Sequence, residues 1–288
     1  MSARVHRLSN GLTLAMDNMA GAQSLALGLY AMVGSRQERS EHYGLAHLVE
    51  HMVFKGAGGR DARAIAEAIE DVGGSLNAWT ARDQTVFHAR ILPDDLPLAM
   101  QLIADLVRRP HLDEGDLKRE KQVVLAEQAE AEDVPDDRIH DLLFQAAYGN
   151  GALAHPVLGN GDSVAALERA DCDYWLSSHY HPDRLILSAA GALDEQALIV
   201  MAESCFGDWE NGKTTALAAS PFLGGVTHCP KPSEQAHIAL GYNGVSATDE
   251  YAPALALFAQ AVGGGMSSRL FQILREEQGL AYSIYAWT

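Results

Sequence analysis

No stretch of these 288 residues is apolar over the roughly eighteen positions that a membrane-crossing helix needs. The opening MSARVHRLSNGLTLAMD also lacks a leader-like apolar run, so the expectation is a soluble, cytoplasmic chain. Cysteine is scarce, with Cys172, Cys205 and Cys229 far apart and never as CxxC. That pattern argues against a disulfide scaffold and a thiolate zinc site, and predicts reduced, mostly buried thiols. Positive charge is in deficit: 21 Lys and Arg face 38 Asp and Glu, for a formal net charge of −17. Such a chain is not expected to bind nucleic acid or an anionic membrane surface non-specifically, whereas basic ligands suit it. The tyrosines and tryptophans are scattered and build no stacking platform. Glycine-rich GGGMSSRL (263–270) lacks the GK[ST] ending of a phosphate loop, so nucleotide binding is not expected.

What is present is enough apolar sequence, 48%, for a sizeable core. The length suggests two domains, or one and a fraction. VHRLSNGLTLAMD alternates about Asn10-Gly11, a two-residue hairpin signal. SLALGLYAMVG (24–34) reads as a central strand. GLAHLVEHMVF (44–54) has helical spacing closed by Gly56. ARAIAEAIEDVGG (62–74) is a second helix, and SLNAWTARDQTVFHARIL (75–92) is two strands about a turn near Ala81-Arg82-Asp83. Helices follow at 96–110, at 113–134 with Asp113 as N-cap and Pro135 as stop, and directly after it. RLILSAAGAL (184–193) is a strand and DEQALIVMAESCF (194–206) a helix. Alternating elements with hairpins among them define an α+β layer fold, a mixed, mostly antiparallel sheet packed on helices.

Gly, Pro, Ser and Thr collect between 208 and 226, which reads as a linker between an N-terminal domain, 1–207, and a second unit, 227–288. The second unit repeats the first. HIALGYNG matches SLALGLYA, EYAPALALFAQAV matches HYGLAHLVEHMVF, and both units close on AWT, at 78–80 and 286–288. QAHIALGYNG and LAYSIYAWT are accordingly expected as strands, with helices between them. The second domain is expected to be incomplete, leaving an open sheet edge.

HLVEHMVFKG (47–56) carries the chemistry. Successive helical side chains lie about 100° apart, so His47, Glu50 and His51 share one face. Two histidines at i and i+4 can grip one metal ion, and Glu50 beside them can take a proton from an activated water. An ordinary amphipathic helix holding two histidines is the competing reading. A zinc hydrolase needs a third protein ligand, and helix 113–134 offers Glu120, Glu127 and Glu130. Glu120 and Glu127 are seven apart, share a face and flank Val123-Val124-Leu125, where a carboxylate needs a partner. Glu130, Glu132 and Asp133 read as a solvated acidic face.

HLVEHMVFKG followed 76 residues after His51 by Glu127 in EKQVVLAEQ resembles the pitrilysin-like, HxxEH zinc peptidases, or inverzincins. It is most similar to their bacterial members of the mitochondrial-processing-peptidase type. NGLT, GGSLNAWT, EDVPDD, HPVLG, RLILSAAG and GGGMSSRLFQILREEQGLAYS extend the resemblance over nearly the whole chain. The resemblance implies one zinc per chain on His47, His51 and Glu127, with Glu50 as general base and Glu120 orienting the site. Leu76-Asn77-Ala78 would form the edge strand on which substrate lies. Arg275 would grip a substrate carbonyl and Tyr282 would hold the oxyanion. Where many relatives carry an acid before the ligand, this chain has Ala126.

The implied activity is a zinc metalloendopeptidase acting on extended or unfolded peptides, in a homodimer or a heterodimer with a homologous subunit. The alternative is a zinc-binding chain, inactive or partner-dependent because its second domain is truncated. His179 and His181 read as a strand pair pointing opposite ways, hence surface or capping residues. His42, His88, His140, His155, His228 and His237 show no convergent partners in the sequence.

Overall fold

The computed structural model describes residues 3–212 and 219–288. The chain divides into two compact units, Met1–Ala239 and Leu240–Thr288. In the first, six strands form one sheet: Arg4–Arg7 (β1), Thr13–Asn18 (β2), Leu25–Ala31 (β3), Ser75–Thr80 (β6), Thr85–Ile91 (β7) and Leu185–Gly191 (β8). A separate two-stranded ladder joins Gly56–Ala57 (β4) to Arg60–Asp61 (β5). The helices are Leu45–Val53 (α1), Ala62–Glu70 (α2), Leu96–Arg108 (α3), Glu114–Asp133 (α4), Pro135–Tyr148 (α5), Gly161–Ala166 (α6), Arg169–His179 (α7) and Glu195–Phe206 (α8).

The strand order is β1-β2-β8-β3-β7-β6. β2 and β8 run parallel; the β1–β2, β3–β8, β3–β7 and β6–β7 pairs are antiparallel. The fold is thus α+β with a mixed, mostly antiparallel sheet. Alternation decides which face is dry. Leu14, Leu27, Leu29, Phe87, Ala89, Leu187 and Ala189 are buried on one face, while Ala26, His88 and Arg90 on the other are exposed. Burying each large apolar side chain contributes about 1.5–3 kcal/mol. β6 ends the sheet, and its outer edge has no strand partner among the described residues.

The first hairpin is one residue longer than NG alone signals. Leu8 and Leu12 pair through a hydrogen bond of 2.9 Å, and Gly11 donates to Leu8 at 3.0 Å, so Ser9, Asn10 and Gly11 form the loop. Gly11 takes φ +97°, the left-handed position of a three-residue loop. Asn10 is drawn off by tertiary contacts, donating to the carbonyls of Phe206 at 2.7 Å and Trp209 at 3.2 Å. Helices α6 and α7 were not signalled by the sequence. α6 is a short helix capped by Asn160, and α7 is largely polar, burying chiefly Cys172 and Trp175.

The second unit contains Ala252–Gly263 (α9) and a wider, π-type turn at Phe271–Glu277. The expected strands QAHIALGYNG and LAYSIYAWT are not formed; both stretches are irregular. Extended backbone becomes a strand only when a neighbour takes its N–H and C=O groups in a ladder; here only isolated bonds form among the described residues, such as Ala286 N–H to the Gly263 carbonyl at 3.1 Å. Residues 213–218 of the expected linker lie outside the described residues, and 219–226 are irregular. Of the thiols, Cys172 is buried, Cys205 half-buried and Cys229 exposed, so the buried expectation fails at Cys229. Burial pushes the Cys172 thiol up to about 12.

Candidate metal centre

α1 starts on an unusual support. Gly44 precedes it with φ +95° and no side chain to cap the first turn. A carboxylate from outside the helix does so instead: Glu38 accepts from Gly44 N–H at 3.0 Å and Ala46 N–H at 2.7 Å. His155 Nε2 stands 3.3 Å from Glu38 and 2.9 Å from the Ser35 carbonyl. Both neighbours are acceptors, so that nitrogen carries the proton. Its ring stacks on Tyr43 at 3.9 Å. Burial raises the Glu38 pKa, against the lowering by His155 and the two N–H groups. His155 therefore has partners after all, brought together from positions 120 residues apart.

With its start fixed, α1 buries Leu45, Ala46, Leu48, Val49, Met52 and Val53. That leaves His47, Glu50 and His51 on the remaining face. α4 begins at Asp113, whose side chain accepts from Gly115 and Asp116 N–H at 2.8 and 3.1 Å. It packs beside α1 and delivers both Glu120 and Glu127.

His47 Nε2 and His51 Nε2 lie 3.7 and 3.6 Å from Glu127 Oε2. These gaps are too long for hydrogen bonds. They match two ligands of a shared tetrahedral ion, which lie about 3.3 Å apart when each is about 2 Å from the metal. All the ligand atoms fall within 4.8 Å of one another, and no other such group occurs among the described residues. Glu120 Oε2 is 3.1 Å from His51 Nδ1, and its other oxygen is 2.8 Å from Lys55 Nζ. The carboxylate holds the proton on Nδ1 and leaves Nε2 a free lone pair toward Glu127. Burial, and next the proximity of His51, push His47 down to about 4, so its imidazole is neutral and able to ligate at pH 7. His47 Nδ1 is buried without a hydrogen-bond partner. The donor set fits zinc.

Glu50 is poised next to this cluster. Burial raises its pKa, Glu127 adds to the rise, and Thr80 and His51 oppose it. Thr80 Oγ1 donates to Glu50 Oε2 at 2.5 Å. Leu76, Asn77 and Ala78 lie on β6, the edge strand. Asn77 Oδ1 accepts from Ala78 N–H at 2.8 Å, and Ala81 N–H turns inward to the Gln84 carbonyl. By the ladder's alternation, the peptide groups of Leu76, Ala78 and Thr80 face the open side.

Arg275 and Tyr282 both lie in the second unit. The Arg275 guanidinium sits 4.6 Å from the Phe271 ring and 5.7 Å from the Tyr282 ring. His179 and His181 are not on a strand: His179 ends α7 and His181 is buried beyond it. They face the same way, with His42, Arg39 and Arg184, into a cavity of about 460 Å³. Burial, then Arg184, His181 and Arg39, hold His179 down to about 4. Sequence reasoning missed Thr80, Lys55 and Glu38. Only Lys55, four residues after His51, stood close enough to leave a local signal.

An α+β sheet bearing an inverted HxxEH helix and a distant glutamate defines the inverted zinc-peptidase class. The insulinase (peptidase family M16) pattern matches residues 13–161, and the peptidase M16 inactive domain pattern matches 166–288. The chain belongs to the insulinase, or pitrilysin-like, peptidase family M16. It is similar to a zinc protease of Bacillus subtilis, at 38% identity over 96% of this chain and 68% of the relative. A zinc protease of Streptomyces coelicolor is 38% identical over 98% of this chain and 63% of the relative. This chain therefore spans about two thirds of these relatives' length. The crystal structure of a protease from Helicobacter pylori shares the fold, with a TM-score of 0.85 at 21% identity, covering 99% of this chain and 70% of that one. The second match begins at 166, inside the first compact unit, where β8 fills the gap between β2 and β3. No described helix is long and apolar enough to cross a membrane.

Proposed function

We propose that this chain is a zinc-dependent endopeptidase whose metal ligands and base stand on α1 and α4. The observation that carries the reading is the convergence of His47, His51 and Glu127 within 4.8 Å, beside a half-buried Glu50. Zinc held by these groups, one ion per chain, supplies a Lewis acid that polarises a carbonyl and acidifies a water. Glu50 acts as general base. Its carboxylate takes a proton from the attacking water and hands it to the amine nitrogen as the C–N bond breaks. The upward push that burial gives Glu50 suits a group that must both accept and release a proton. Glu120, braced by Lys55, keeps the His51 ring in its ligating tautomer.

The open edge of β6 at Leu76, Asn77 and Ala78 takes the substrate as an added strand, which selects extended or unfolded peptide. Before Ala78 N–H can pair with substrate, the Asn77 side chain must release it. Arg275 as a grip on a substrate carbonyl and Tyr282 as an oxyanion donor are proposed from the family resemblance, and their mutual contact supports pairing them. Tyr282→Phe should lower kcat; an unchanged kcat removes Tyr282 from the proposal.

A second reading has its own support. Because the chain spans about two thirds of its relatives' length, zinc binding without turnover, or turnover only with a homologous partner, is the alternative. Size measured with metal content separates these outcomes. The decisive pair is Glu50→Gln and His47→Ala, assayed on an unfolded peptide. The first should keep zinc and lose hydrolysis, and the second should lose zinc. Zinc retained by His47→Ala would falsify the site.

A further inference from the structure

We propose that Thr80 is a positioning residue for Glu50, fixing which carboxylate oxygen handles the proton. The proposal rests on Glu50 being the base. Thr80 is the last residue of the edge strand β6, paired opposite Thr85 of β7. Its own peptide groups face the open edge, but the residues around it are held. Thr85 is buried and its hydroxyl donates to the Val33 carbonyl at 3.1 Å. Immediately after Thr80, the Ala81 carbonyl accepts from Ser35 N–H at 3.1 Å, and Ala81 N–H donates to Gln84 at 2.8 Å. A β-branched residue on fixed backbone has little freedom at χ1. The hydroxyl therefore points in a direction set by the sheet. Glu50 has three side-chain torsions, and the 2.5 Å bond from Thr80 to Oε2 selects among them.

With Oε2 occupied, Oε1 is the oxygen that takes and returns the proton. The cycle balances on that atom. An O–H bond of water breaks as its oxygen adds to the carbonyl carbon, and the proton moves to Oε1. The C–N bond then breaks as that proton passes to nitrogen, so peptide and water give a carboxylic acid and an amine. Oε2 remains an acceptor in both protonation states, so Thr80 holds Glu50 in one orientation throughout. Thr80 also lies two residues beyond Ala78 on the same strand. The base is thereby tied to the strand on which the scissile peptide is proposed to pair.

The test compares zinc-loaded wild type, Thr80→Val and Thr80→Ser on an internally quenched extended peptide, with zinc content measured on each. Thr80→Val should keep its zinc and its KM within about twofold while kcat falls roughly 10- to 100-fold. Thr80→Ser, which keeps the hydroxyl, should recover most of the loss. Equal impairment of Val and Ser variants, or a change in KM alone, overturns the proposal in favour of packing. A second measurement needs no turnover: denaturant midpoints of the metal-free wild type, Thr80→Val, Glu50→Gln and the double variant. Non-additive shifts support the contact and additive shifts overturn it. If wild type hydrolyses nothing, the endopeptidase reading fails while this cycle still decides the Thr80–Glu50 link.

Discussion

SLALGLYA (24–31) and HIALGYNG (237–244) resemble each other in sequence, yet one is the heart of a sheet and the other is irregular. Leu25, Leu27 and Leu29 are almost inaccessible, with β8 on one side of their strand and β7 on the other. Ile238, Leu240 and Tyr242 are 81, 75 and 83% exposed. Alternating apolar residues create the tendency to be a strand; paired neighbours and a covered face make it one. The same contrast holds for the helices. α1 buries six side chains and turns its two histidines and Glu50 to α4 and β6, whereas Leu257 and Phe258 on α9 are exposed.

If the first unit is the working one, its residues should respond far more strongly than those of the second. The largest effect is expected from Glu50→Gln, which should reduce peptide hydrolysis roughly 10²–10⁴-fold with zinc unchanged; turnover near wild type rules out Glu50 as base. Glu38→Ala should come next in consequence for the fold. It leaves the Gly44 and Ala46 N–H groups at the start of α1 without their acceptor, and a buried donor left unsatisfied costs about 1–3 kcal/mol, read as a loss of unfolding free energy in urea. An unshifted midpoint would mean that α1 needs no outside cap.

Glu120→Gln should weaken zinc roughly 10- to 100-fold in a chelator competition, while leaving stoichiometry at saturating metal intact. Unaltered affinity would show that His51 is oriented by something else.

Acid should also separate the regions. His47 titrates at about 4 in the folded chain against 6.5 ordinarily, so between those values the unfolded chain binds the extra proton. Its contribution to metal-free stability is therefore present above pH 6.5 and lost as pH falls toward 4. In His47→Asn, the slope of unfolding free energy against pH should flatten across that window; an identical slope contradicts the depressed value. The smallest effect is expected in the second unit. Phe258→Ser, at an exposed position, should change the unfolding free energy in urea by no more than about 0.5 kcal/mol. A large loss there would erase the contrast between the regions.

The sequence made legible whatever repeats locally or matches a pattern. The strand 25–31, the helix 45–53 and the cap at Asp113 follow from periodicity and local chemistry. His47, Glu50 and His51 announced themselves by spacing, while Glu127 needed either the family pattern or the fold to single it out from Glu120 and Glu130. Thr80, Glu38 and His155 were illegible because their partners are set by tertiary packing. Thr80 meets Glu50 across 30 residues and His155 meets Ser35 across 120, and no local pattern encodes either meeting. The strands at 235–244 and 280–288 failed for the opposite reason: the local pattern was present and the pairing was not.

The proposed zinc ligands all stand on α1 and α4 of the first unit. X-ray absorption at the zinc edge of the metal-loaded chain tests this assignment most directly. Two imidazole nitrogens are expected at about 2.0–2.1 Å and carboxylate oxygen at about 2.0–2.2 Å, with one imidazole lost in His51→Ala. Sulfur at about 2.3 Å, or an unchanged spectrum in His51→Ala, would contradict it.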